Sequence, residues 1–171
     1  MTLPTPDPSL TGLGIRHGAG QGQLMLCLIS LDGQAYALRT SAVREVIGNA
    51  VIVAVPLAAP FIAGIVNHRG VMLTTVSLRR VLGLDPAVGK SCVIVVRAGC
   101  EDGESFGLLV DELAGVLTLD GGMVEAIPPS VAENIQRLFR GMHLREPGPL
   151  VELDADHLRP EWLAAPECCG N

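Results

Sequence analysis

Apolar positions along this chain fall into short bursts, some alternating with polar residues and some continuous, and each burst ends at Gly, Pro, Asn or Asp. Residues 24–31 (Leu-Met-Leu-Cys-Leu-Ile-Ser-Leu) precede Asp32-Gly33 and a second β-type run at 34–38. An Asp-Gly pair between two such runs predicts a hairpin, because both turn positions tolerate positive φ. Residues 51–55 read as a short strand stopped by Pro56. The stretch 56–60 reads as an extended or turning linker, since neither of its prolines can donate to a ladder. Residues 61–66 and 71–76 read as two strands around Asn67-His68-Arg69-Gly70, where Gly70 allows the left-handed backbone of a tight turn. Further strands are expected at 92–96, 105–110, 114–119, 141–144 and 149–153. Short strands recurring at such intervals favour barrels over βαβ units, which need longer helical stretches.

Helical signals are few. Val43, Val46 and Ile47 share a face at spacings of three and four, which predicts a helical turn capped by Thr40 or Ser41. Ser77 is placed to cap a short helix over 78–82 that Gly83 ends. Residues 85–90 read as loop. A closing helix is expected within 156–165, where Pro160 makes it start late or kink. Residues 1–22, rich in Gly, Pro and Thr without periodicity, read as a flexible tail. The folded domain is expected over 23–163, with a second tail from 164 to 171.

Composition narrows the picture. Apolar residues make up 49% of the 171, yet only five are aromatic: Tyr36, Phe61, Phe106, Phe139 and Trp162. The interior must therefore be built from Val, Leu, Ile and Ala, which suits pleated surfaces. A formal charge of −6 argues against nucleic-acid binding, which rests on clustered cations. The charge is uneven: basic side chains outnumber acidic ones up to residue 100, and acidic ones dominate beyond it. Such a split reads as two differently charged lobes and would suit head-to-tail contacts between copies or homologues. Cys27, Cys92, Cys100, Cys168 and Cys169 form no CxxC pair and read as reduced. Met1 to Pro8 holds three prolines and no basic residue, unlike a secretory leader. The apolar run 50–66 approaches spanning length, but Pro56, Pro60 and Gly64 break it, so no membrane insertion is expected.

Reactive constellations are not evident. His17, His68, His143 and His157 show no metal-ligand spacing, and each reads as a surface or loop residue. There is no G-x-S-x-G elbow and no P-loop. The glycines of 12–14 and 18–22 lack a preceding strand and read as linker. Asp111 and Glu112 are neighbours on extended chain, so they point to opposite faces and read as solvated charges at a strand end. No catalytic group, cofactor or metal is expected. Taken alone, Arg44, Glu45 and Arg69 read as solvated, although a turn-mounted arginine is a common interface anchor.

The stretch 36–76 resembles the CheW-like domain of chemotaxis coupling proteins and of the C-terminal part of CheA kinases. The resemblance is carried by Tyr36-Ala37-Leu38, Val43-Arg44-Glu45-Val46-Ile47, Val55-Pro56, and Pro60-Phe61-Ile62-Ala63-Gly64-Ile65-Val66-Asn67-His68-Arg69-Gly70. It continues through Phe106-Gly107-Leu108-Leu109-Val110-Asp111, Ala126-Ile127-Pro128-Pro129, Phe139-Arg140-Gly141 and Leu150-Val151-Glu152-Leu153-Asp154. Coverage runs from about residue 22 to 160.

The resemblance implies a mainly β protein of two SH3-like, five-stranded barrels sharing an apolar core, with short helices. It implies a non-enzymatic adaptor that couples methyl-accepting chemoreceptor tips to a CheA-type histidine kinase, cytoplasmic and recruited to membrane receptor arrays. Other CheW-like domains are possible partners. A groove between the barrels would receive the receptor tip, with Val43, Glu45, Val66, Asn67, His68 and Arg69 as the receptor-binding residues. Family members usually read Asn-Leu-Arg-Gly and then Pro-Val-Ile-Asp-Leu-Arg, whereas His68, Thr74 and Ser77 here replace the Leu, the Pro and the Asp. A divergent member is implied, and the alternative expectation is an adaptor of a non-flagellar chemosensory pathway serving pilus motility, surface sensing or second-messenger control. A small-molecule or metal-dependent enzyme is the remaining, different class.

Overall fold

The computed structural model describes residues 23–85, 89, 91–97, 99, 104–120 and 124–165. The tail at 1–22, most of the one after 164, His17, Cys100, Cys168 and Cys169 lie outside them.

Strands β1 (Gln23–Leu31) and β2 (Gln34–Arg39) form the expected hairpin, with Asp32 at φ 52° and Gly33 at φ 76° in the turn. A 3-10 turn at Thr40–Ala42, with no side-chain cap, leads into β3 (Val43–Gly48). The helical turn expected at Val43, Val46 and Ile47 is thus a strand. All three residues are β-branched, and a ladder to β7 (Cys92–Arg97) satisfies more backbone than one helical turn would. The strand expected at 51–55 shrinks to β4 (Ile52–Val53).

β5 (Ile62–His68) and β6 (Val71–Ser77) form the second hairpin. Gly64, at φ 149°, lies where β4 crosses β5, and a Cβ there would run into the Val53 carbonyl oxygen. Ser77 caps α1 (Leu78–Val81) by accepting from the Arg80 N–H, and Gly83 follows at φ 71°. β8 (Ser105–Val110) and a long β9 (Glu112–Asp120) precede the two-residue β10 (Val124–Glu125). Then come α2 (Glu133–Gln136), β11 (Phe139–His143), β12 (Leu150–Leu153) and α3 (Pro160–Ala164). Pro160 sits in the first turn of α3, so the closing helix starts late, as its missing N–H requires.

The strands make two six-stranded sheets. One runs β10-β11-β12-β2-β1-β9, the other β3-β7-β8-β6-β5-β4. The count exceeds the expected five per lobe because β4 and β10 are two-residue edge strands. Each sheet contains one parallel pair, β12 with β2 and β6 with β8. The inner chain segment forms the second sheet entirely, while the first is assembled from both ends of the domain.

Period-two alternation lets the sheets serve two cores. Val66, Leu73, Val93 and Val95 fill the inside of the second lobe. Val76, Ile94, Val96, Phe106 and Leu108 belong to the large core that also takes Cys27, Ile29, Leu31, Leu38 and Leu153 from the first. One apolar interior therefore joins the lobes. Most acidic side chains ride on the first, while the described arginines divide evenly, at 44, 69, 79, 80 and 97 on the second and at 39, 137, 140, 145 and 159 on the first, so the second lobe is close to neutral.

Candidate docking site

The β5–β6 turn is built from Arg69 and Gly70, at φ 52° and 85°. This two-residue form matches the twist of the flanking strands. Asn67 tightens it, its Oδ1 accepting from the Gly70 backbone N–H at 2.9 Å. A non-glycine residue in left-handed backbone costs about 1 kcal/mol, a strain that concentrates at functional positions. Its effect here is to project the Arg69 side chain, which is 76% exposed.

β3 stands at one end of the second sheet's strand order and β5 is next to the other, yet their side chains meet. Arg69 Nη2 lies 3.0 Å from Glu45 Oε1, and His68 Nε2 lies 3.2 Å from Glu45 Oε2. The sheet must therefore curl strongly on itself. A register shift between Val43 and Glu45 in the β3–β7 ladder helps, since a bulge re-aims the residues beside it. Glu45 thus serves as one carboxylate for two neighbours on the hairpin.

Beside this cluster runs a groove of about 630 Å³. Its floor and near wall include Val71, Met72, Thr74 and Phe106 of the second lobe, with Arg44 and His68 at the rim. The far wall is Arg159, Pro160 and Glu161, at the start of α3. Val71 and Met72 are more than half exposed, an unpaired apolar surface within reach of charged groups. Arg44 donates to Ser105 Oγ at 3.0 Å and Arg159 to the Asp156 carbonyl at 3.2 Å.

Of the six residues expected at a receptor site, Glu45, His68 and Arg69 come together. Asn67 shapes the turn, and Val43 packs against the large core. Val66 is 2% exposed and supports β5 from inside. The sequence reading missed the groove's other wall, because Arg159 to Glu161 are remote in the chain and carry no motif.

Two further expectations are corrected. His143 is not a surface or loop residue: it is 3% exposed on β11, with Nε2 2.8 Å from Glu152 Oε2. Glu152, fully buried on β12, also accepts from Arg39 Nε at 2.7 Å. Nδ1 of His143 has no hydrogen-bond partner among the described residues. A carboxylate inside the apolar run Leu150 to Leu153 was the available signal, since such a group is buried only when paired. Asp111 is not a solvated strand-end charge either. It accepts two bonds from Arg79, at 2.8 and 2.7 Å, and Arg79 also donates to the Asp85 carbonyl.

Cys27 and Cys92 carry free thiols, and burial pushes both above the ordinary thiol range. Among the described residues no group of three or more His, Cys, Asp or Glu is placed to hold a metal ion, and no helix is long and apolar enough to cross a membrane.

The model of the CheW-like domain matches residues 25–160, a span that takes in both lobes, the hairpin cluster and all of the groove's named residues but Glu161. The chain belongs to the CheW-like domain family. A probable chemotaxis protein CheW from Rhizobium etli is 26% identical over 119 residues, 70% of this chain and 76% of that protein. The chemotaxis protein CheW of Thermotoga maritima is 28% identical over 131 residues, 77% of this chain and 84% of its own length. The crystal structure of the scaffolding protein TtCheW from Thermoanaerobacter tengcongensis superposes with a TM-score of 0.72 at 24% identity, covering 85% of this chain and 93% of that one. The two lobes are thus the paired SH3-like subdomains of the CheW fold.

Proposed function

We propose that this CheW-like protein is a non-enzymatic coupler that holds the cytoplasmic tips of methyl-accepting chemoreceptors and a CheA-type histidine kinase in register. A receptor shift then biases kinase activity. The observation that carries the reading is the groove beside the β5–β6 hairpin: exposed Val71 and Met72 next to Glu45, His68 and Arg69. A helical hairpin tip offers matching chemistry, with apolar residues for the floor and polar ones for the rim. Val43, Val66 and Asn67 take part by fixing the strands and turn that present the charged trio.

For the kinase, the partner would be its own CheW-like domain. The chain from Asn49 to Phe61 holds no charged residue, and Val51, Val53 and Leu57 stand exposed along it. The acidic excess of the first lobe also suits contact with basic surface on that domain or on other CheW-like domains. Individual contacts of this size are weak, and an array would add avidity. The protein would act in the cytoplasm, recruited to receptors at the membrane.

The test is reconstitution of receptor-containing vesicles, kinase and adaptor, with co-sedimentation and kinase control as readouts. Arg69→Ala and Glu45→Ala are expected to fold normally and to lose receptor-dependent control. Leu57→Asp is expected to retain receptor and lose kinase. Wild-type co-sedimentation and control by both hairpin variants would sink the groove assignment. A second reading, the same coupling in a non-flagellar pathway, is favoured by His68, which puts an imidazole where an apolar contact would suit a motility receptor. The neighbouring genes distinguish the two.

A further inference from the structure

Glu45 is shared. Its two oxygens are taken by different side chains of one hairpin, Oε1 by Arg69 and Oε2 by His68. Arg69 commits a single Nη2 to this bond and makes no other hydrogen bond among the described residues. A guanidinium has five N–H donors in a planar fork, so most of its capacity faces outward. A carboxylate arriving from a docking protein would meet that fork with two parallel bonds, a better geometry than the single one Glu45 provides.

A carboxylate that takes the Nη2 edge, the one Glu45 holds, would displace Glu45 from Arg69. Glu45 is 39% exposed, and with no second partner its charge would be left to whatever water the docked protein had not displaced. His68 alters that outcome. Its Nε2 must carry the proton, because a carboxylate oxygen cannot donate, and at 3.2 Å it stays bonded to Oε2 when Oε1 is released. The imidazole is only 20% exposed, so it is held in place by the hairpin rather than free to swing away.

Resting on the docking reading given above, we infer that His68 is the residue that lets Glu45 give up Arg69, and that the site therefore selects a partner whose tip presents a carboxylate. The neighbourhood agrees. Arg44, on β3, bonds Ser105 Oγ and has no carboxylate partner among the described residues, so a second guanidinium lines the groove near His68. In the rest of the groove Arg44 and Arg159 balance Glu104 and Glu161, so Arg69, with most of its donors free, is the cation open to an arriving carboxylate. His68 is a positioning residue here: it acts on the partner through Glu45 and Arg69.

The experiment is calorimetric titration of the full chain with a soluble chemoreceptor hairpin fragment from the same genome. The fragment is used in two forms, one with its native tip and one with the tip carboxylates changed to amides. His68→Leu is expected to weaken the native tip about fivefold, within the range of an exposed ion pair, and to leave the amide form unchanged. His68→Gln, which retains an N–H donor, is expected to recover most of the loss. In a Glu45→Gln chain, His68→Leu is expected to have no further effect. Nitrogen NMR of the free protein should show His68 Nε2 protonated, with its resonance moved by Glu45→Gln. If Arg69→Ala weakens the native tip while His68→Leu binds both forms as wild type does, the role of His68 is overturned and the docking reading stands. Should the wild-type chain bind neither form, the docking reading falls and the inference with it.

Discussion

Two trios of the same composition, one Arg, one Glu and one His, occupy this protein in opposite surroundings. On the first lobe, Arg39 and His143 grip Glu152, whose carboxylate is fully buried. On the second, Arg69 and His68 grip Glu45, with the arginine three-quarters exposed. Distances are similar, from 2.7 to 2.8 Å in the buried trio and from 3.0 to 3.2 Å in the exposed one. What separates them is water. A buried ion must keep its partners because desolvation has already been paid for, whereas an exposed one can exchange partners for solvent or for another protein. The same three side chains therefore make a fixed strut in one lobe and an exchangeable contact in the other.

Removing the central acid should divide them most sharply. Glu152→Ala strands a buried histidine and a half-buried arginine, and chemical denaturation is expected to show a loss of about 3–5 kcal/mol. A loss below about 1 kcal/mol would erase the distinction. Replacing the whole buried trio, Arg39→Met with Glu152→Leu and His143→Leu, sharpens it further. Stability is then expected to return to within about 1–2 kcal/mol of wild type, since apolar residues of similar size tolerate the dry site. Continued severe destabilisation would mean the trio packs in a way no apolar set can replace.

The exposed trio should behave otherwise. Glu45→Gln or Arg69→Ala is expected to change unfolding free energy by no more than about 1 kcal/mol. Smallest of all is the effect of salt. The pairwise coupling of Glu45 and Arg69, from a double-mutant cycle, should fade between low and high ionic strength, while that of Arg39 and Glu152 should not. Equal salt dependence would indicate that both sites are wet.

The exposed trio was nearly legible in the sequence, because His68 and Arg69 fall in one turn signal and Glu45 in a short motif with its own spacing. The buried trio was not. Arg39 and Glu152 are 113 residues apart, and they meet through a parallel β2–β12 pairing that no local pattern announces. β3 was misread for a related reason: Val43, Val46 and Ile47 satisfy a helical spacing, and only the distant β7 ladder decides for strand. The hairpin at Asp32-Gly33 was legible because its turn needs particular residues, and the second was legible only as a turn somewhere in Asn67 to Gly70, of which β5 takes Asn67 and His68. The two-residue strands β4 and β10, too short to carry a periodicity, were not.

The nesting of one lobe within the other has a consequence for biosynthesis. Strands β3 to β8 emerge consecutively, so the inner lobe can complete its ladder while the chain is still being made. β2 must wait for β12, which leaves the ribosome near the end of the domain, and until then one edge of β2 lies open to any passing strand. A nascent chain stalled before Leu150 would present that edge beside a finished neighbour, the state in which a chaperone is most needed.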